Sequence, residues 1–120
     1  MVDTGGQALR LLSCALRNTG SGWGLISDAG HQPTGVTGVI QHSDHLELTH
    51  AVGAVKVSSM QVTVDEFFAA YGVRCGVSGG LALSRIYLYT GSAITPVDPA
   101  SVVGASGNLW FTGYVQTKGA

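Results

Sequence analysis

Leu46-Glu47-Leu48-Thr49-His50 alternates apolar against polar, with the leucines on one parity and Glu47 and Thr49 on the other. A β-strand sends successive side chains to opposite faces, so this pattern predicts a strand with one face in a core and one toward solvent. A second run of period two covers Leu81 to Tyr89. Leu81, Leu83, Arg85, Tyr87 and Tyr89 fall on one parity; Ala82, Ser84, Ile86 and Leu88 fall on the other. Bulk on both parities in its second half predicts a central strand covered on both sides. An apolar run from Val73 precedes it, and Gly79-Gly80 hinges the two. Further strands are expected at Trp23 to Ser27, Val36 to Gln41, Ala54 to Val64 and Leu109 to Gln116. Leu83, Ile86, Leu88, Trp110 and Val115 are the expected core positions along the last strands.

Ala8 to Arg17 satisfies two templates. Apolar residues at 8, 9, 11, 12, 15 and 16 fit an amphipathic helix, and the same run fits a strand buried on both faces. Asn18-Thr19-Gly20-Ser21-Gly22 decides between them. It is a hairpin turn rich in residues that tolerate positive φ, and a tight hairpin needs a strand before it. Strand is therefore expected over roughly 9–17, after a loose N-terminal segment at 1–7. Asp28 to Gly35 reads as a loop, His42 to His45 as a turn, and 91–107 as a loop carrying Pro96 and Pro99. One helical turn is expected near 65–71, because Asp65 and Glu66 favour a helix N-terminus and Gly72 stops it. About seven to nine short strands at intervals near ten residues, with glycine-rich turns, predict an all-β, jelly-roll-like β-sandwich spanning 1–120 as one domain.

Composition changes this picture at one point. Charged residues are 11% of the chain, where roughly 25% is usual. A small monomer so poor in charge is weakly protected against self-association, so much of its surface is expected to lie against partners. The net charge is −1 and the six Lys and Arg are scattered singly, which argues against nucleic acid as a ligand. No apolar run approaches the roughly 20 residues of a membrane span, and Met1-Val2-Asp3 does not open a signal peptide. Cys14 and Cys75 are read as buried thiols rather than a lone disulfide.

Candidate chemistry is sparse. His42, His45 and His50 lie close in sequence with His31 upstream, but a strand-turn-strand does not oblige them to converge, so they read as solvated polar residues. Asp65-Glu66 reads as helix-start charge. Gly76-Val77-Ser78-Gly79-Gly80 matches the letters of a nucleophile elbow, which needs a helix after the serine, where a strand is expected. No catalytic, cofactor-binding or metal-binding residue is assigned, and the chain is not expected to be an enzyme. Trp and Tyr residues can stack on sugars or anchor interfaces, and Tyr87, Tyr89 and Tyr114 are the candidate interface residues.

Five motifs run in order: Gly30-His31-x-Pro33-x-Gly35-Val36, Val64-Asp65-Glu66-x-Phe68, Gly76-x-Ser78-Gly79-Gly80-Leu81, Val97-Asp98-Pro99 and Gly107-Asn108-Leu109-Trp110. Together, over roughly 10–116, the chain resembles small β-rich domains of tailed-bacteriophage virion proteins, notably minor tail proteins of phages infecting actinobacteria. The resemblance implies a structural protein of the tail tip or tail fibre, made in the host cytoplasm and carried in the virion. It implies protein–protein assembly, with other virion proteins and with itself as a homotrimer, and it names no catalytic residue or cofactor. Two other roles stay open: a carbohydrate-binding module for host-envelope glycans, and a capsid decoration protein.

Overall fold

A computed structural model describes residues 7–18, 20–27, 32–50, 54–79, 83–103 and 107–118; of these, the side chains at 7–9, 54–59, 67 and 115–118 are left aside. The strands are β1 (Gln7–Asn18), β2 (Trp23–Leu25), β3 (Val36–Gln41), β4 (Leu46–His50), β5 (Ala54–Val64), β6 (Val73–Gly79), β7 (Leu83–Thr90) and β8 (Leu109–Lys118). They form two four-stranded sheets with orders β2-β1-β8-β5 and β3-β4-β7-β6, every pairing antiparallel. The first strand pairs with the last, and within that pair β4 joins β7, a nested winding of the jelly-roll kind. The chain is thus an all-β sandwich with a short helix, α1 (Glu66–Ala70), and a 3₁₀ turn at Pro99–Ser101.

Residues 7–18 form a strand, as the turn argument requires. Asn18 pairs with Trp23 across the hairpin, and its Oδ1 accepts hydrogen bonds from the Gly20 and Gly22 amides at 2.9 and 3.2 Å. The helical turn also falls where expected. The Asp65 carbonyl accepts the Ala69 amide, and Gly72, at φ 75°, closes the helix in a conformation that costs glycine little.

The core lies between the sheets. Leu12, Leu16, Leu109 and Phe111 come from one sheet and Leu46, Leu48, Ile86 and Leu88 from the other, all buried. β3 reaches this core through a bulge: Val36 pairs with His50 and Gly38 with Thr49, so Thr37 is the extra residue. Val36 and Val39, three apart, therefore both pack on the core. Gly35 sits beside it at φ 72°, and a Cβ there would lie 2.6 Å from Leu12 Cδ2.

Two expectations need correction. Leu83 and Trp110 are only half-buried, because their strands place Ser84, Ile86 and Leu88, and Leu109 and Phe111, on the inner face instead. β7 is central in its sheet, between β4 and β6, but its outer face is only partly covered. The side chain of Val115 lies outside those described, as do the loop residues 28–31 and residues 1–6 of the loose segment expected over 1–7, whose last residue, Gln7, instead begins β1.

One end of the sandwich is tied by long-range polar contacts. Asn18 Nδ2 donates to the Val102 carbonyl at 3.0 Å, and Trp23 Nε1 donates to the Pro99 carbonyl at 2.7 Å. The Asp65 carboxylate accepts the Asn108 amide, while the Asp65 amide donates to the Asn108 carbonyl at 3.2 Å. Arg17 Nε donates to Asn108 Oδ1 at 2.8 Å. Trp23 and Phe68 pack ring to ring at 6.0 Å beneath these bonds. Asp65 thus serves as a latch between the start of α1 and the start of β8, beyond its charge at the helix start.

Candidate functional site

The two outer faces of the sandwich differ in chemistry. On the face of the β2-β1-β8-β5 sheet, cross-strand register sets Leu11 opposite Tyr114, Ser13 opposite Thr112 and Ala15 opposite Trp110. Leu11 and Tyr114 are 48% and 46% exposed. Beside them a cavity of about 200 Å³ is lined by Ser13, Ala15, Gln32, Trp110 and Thr112, among others. None of the six paired side chains carries a charge at neutral pH.

The face of the β3-β4-β7-β6 sheet is polar and aromatic. Glu47 stands opposite Arg85, Gly76 opposite Tyr87, and Arg74 opposite Tyr89. The Tyr89 ring lies over Gly76, 3.5 Å from where a Cβ would stand, which is ordinary contact distance. The Arg74 guanidinium lies 5.4 Å from the Tyr89 ring centre and donates to the carbonyls of Gly91 and Ala93 at 2.9 and 2.6 Å. At the β3–β4 turn the His42 and His45 rings stack at 4.4 Å, and His45 lies 5.5 Å from Tyr87.

The candidate interface tyrosines therefore do not form one patch. Tyr87 and Tyr89 share the outer face of β7, whereas Tyr114 belongs to the other sheet. Ser78 lies inside β6, which is followed by a strand, so the elbow geometry is not built. The histidines also depart from expectation. His42 and His45 converge, and they do so with Glu47: one ligand atom from each lies within 4.8 Å of the other two. A tight turn sets 42 and 45 across from one another, and the His42 amide donates to the His45 carbonyl at 2.9 Å. The i, i+3 spacing across a hairpin turn carries that signal. His31 lies outside the described residues.

His50 is not solvated. It continues the parity of Leu46 and Leu48 and is buried, with its ring stacked on Phe111 at 6.2 Å. Nε2–H donates to Ser84 Oγ at 2.8 Å, and that hydroxyl donates to Met60 Sδ at 3.4 Å, which leaves Nδ1 buried without a partner. Burial holds the His50 pKa below its usual 6.5. The sign follows from linkage. Below that value the unfolded chain takes up a proton at His50 that the folded chain refuses, so this residue destabilises the fold progressively as pH falls. Above pH 7 both states are neutral there and it contributes no slope. Thermal unfolding across pH 5 to 7.5 is expected to show the decline, and His50→Leu to flatten it. Equal slopes in the two proteins would remove His50 as the cause.

Cys14 and Cys75 are both free, one on each sheet, and burial pushes each thiol up to about 12. Thiols so rarely ionised are poor nucleophiles. No helix among the described residues is long and apolar enough to cross a membrane. Comparisons with protein-family models, with curated proteins and with solved structures find no match to this chain.

Proposed function

We propose that this chain is a structural assembly module of a tailed-phage virion, a minor tail component that works through protein–protein contact as a homotrimer. The observation that carries the reading is the uncharged patch of Leu11, Tyr114, Trp110 and Thr112, with Arg17 farther along the same face of β1 held by Asn108. A second copy of the chain is its occupant. A patch without charge meets its own copy with no like-charge repulsion, and aromatic residues are enriched at the centres of such interfaces. The low charge of the whole chain, 11%, points the same way. The virion setting rests on the motif resemblance over roughly 10–116. The shared residues Asp65, Pro99 and Asn108 take part in the backbone latches at one end of the sandwich, a scaffold role.

Light scattering on the purified chain is expected to give three times the 12.3 kDa chain mass. Leu11→Glu and Tyr114→Glu, both at exposed positions that the isolated fold tolerates, should return it to a monomer. A wild-type monomer at all concentrations, together with isolated copies in imaged particles, would end the proposal. Imaging also separates a tail position from capsid decoration.

A second reading, recognition of a host-envelope glycan, draws on the other face. Tyr87 beside His45, and Tyr89 beneath Arg74, offer rings for stacking next to hydrogen-bonding groups. Glycan-array binding that is lost in Tyr87→Ala is the expected result under that reading.

A further inference from the structure

We infer that the β3–β4 turn forms a divalent-cation site of the zinc class, with His42, His45 and Glu47 as its protein ligands. Imidazole nitrogens with a carboxylate oxygen are a donor set that suits zinc, and also nickel. His42 Nε2 and Glu47 Oε1 are 3.2 Å apart. A tetrahedral ion with bonds of about 2.0–2.1 Å holds neighbouring ligand atoms roughly 3.3 Å apart, so the hydrogen bond between these two groups already brings them within reach of a shared ion. The third ligand atom, from His45, lies within 4.8 Å of both.

The surroundings of His45 support the same assignment. Its Nδ1 is 2.6 Å from Asp44 Oδ1. A carboxylate that holds Nδ1–H fixes the ring tautomer and leaves Nε2 as the free ligand atom, as the outer partners of zinc-bound histidines do. Asp44 and Glu47 bring two negative charges to the turn, which a dication offsets. Arg85 opposes Glu47 from β7, and Tyr87 backs His45 from the same strand.

One adjustment is required. The two imidazoles are stacked, with planes 16° apart, and an ion bound in the plane of both needs one ring to turn out of the stack. The His42 side chain is 41% exposed on the turn, so it has the room to do so. The backbone does not need to move, because the hydrogen bond from the His42 amide to the His45 carbonyl and the β3–β4 register already hold the three positions together. Three protein ligands leave the remaining coordination positions to water.

Titration calorimetry of the intact chain with Zn²⁺ at pH 7.5, and the visible absorption of bound Co²⁺, test the assignment. One ion per chain with micromolar or tighter affinity is expected, weakening as pH falls because protons compete for the imidazoles. His42→Ala, His45→Ala and Glu47→Gln should each weaken binding strongly, and Asp44→Asn by about 10–100-fold, the usual effect of losing an outer partner. All four changes lie on or beside a surface turn, and an unchanged melting temperature in metal-free buffer verifies that the variants fold. Millimolar or weaker binding would overturn the inference. So would tight binding that survives both His42→Ala and His45→Ala.

Discussion

Replacing Phe111 with alanine is expected to cost about 3–5 kcal/mol, the range for a buried aromatic cut back to a methyl group. The ring is 1% exposed and sits at the middle of the sandwich. On its own sheet it lies between Cys14 of β1 and Val62 of β5, and across the core it stacks on His50. Its removal opens space that two hydrogen-bonded sheets cannot close without breaking register. A domain with a total stability of about 5–15 kcal/mol loses much of its margin at that cost. Thr112, the next residue on β8, is exposed, so Thr112→Ala should stay within about 0.5 kcal/mol. Denaturant unfolding of the two variants in parallel makes the test. Similar losses at 111 and 112 would mean that β8 does not present the faces described.

Asn18→Ala should be the most damaging polar substitution, at about 2–4 kcal/mol, given roughly 1–3 for each buried group left unpaired. The side chain is 1% exposed and uses both ends of its amide. Its oxygen holds the Gly20 and Gly22 amides and so shapes the β1–β2 turn, while its nitrogen caps the carbonyl of the buried Val102, 84 positions away. Asn18→Asp is not a rescue. It keeps the acceptor but places a carboxylate against the Val102 carbonyl and loses the donor, so both variants should unfold at markedly lower denaturant concentration than the wild type. A loss below about 0.5 kcal/mol in Asn18→Ala would show that water replaces the amide at both ends.

The alternation of Leu46-Glu47-Leu48 sufficed to place that strand and to name its buried face, because only one parity was apolar. The hairpin at 18–22 settled β1 as a strand, since a tight turn constrains what precedes it. Asp65, Glu66 and Gly72 marked the helical turn through their own local energetics. Where bulk occupied both parities, the sequence could not choose a face. Leu109-Trp110-Phe111 and Leu83 to Leu88 each offered two apolar faces, and the sheet on the other side decided that Phe111, Ile86 and Leu88 point inward. His50 was legible as the continuation of the leucine parity, but its meaning was not. Its pairing with Ser84 depends on β4 lying beside β7, 34 residues later. The meeting of His42, His45 and Glu47 needed the register of a closed hairpin. The separation of Tyr114 from Tyr87 and Tyr89 needed the assignment of β7 and β8 to different sheets. Local propensity and period fix which segments become strands. The choice of strand neighbours, and with it every cross-strand pair, is made by the free energy of closing two sheets over one core.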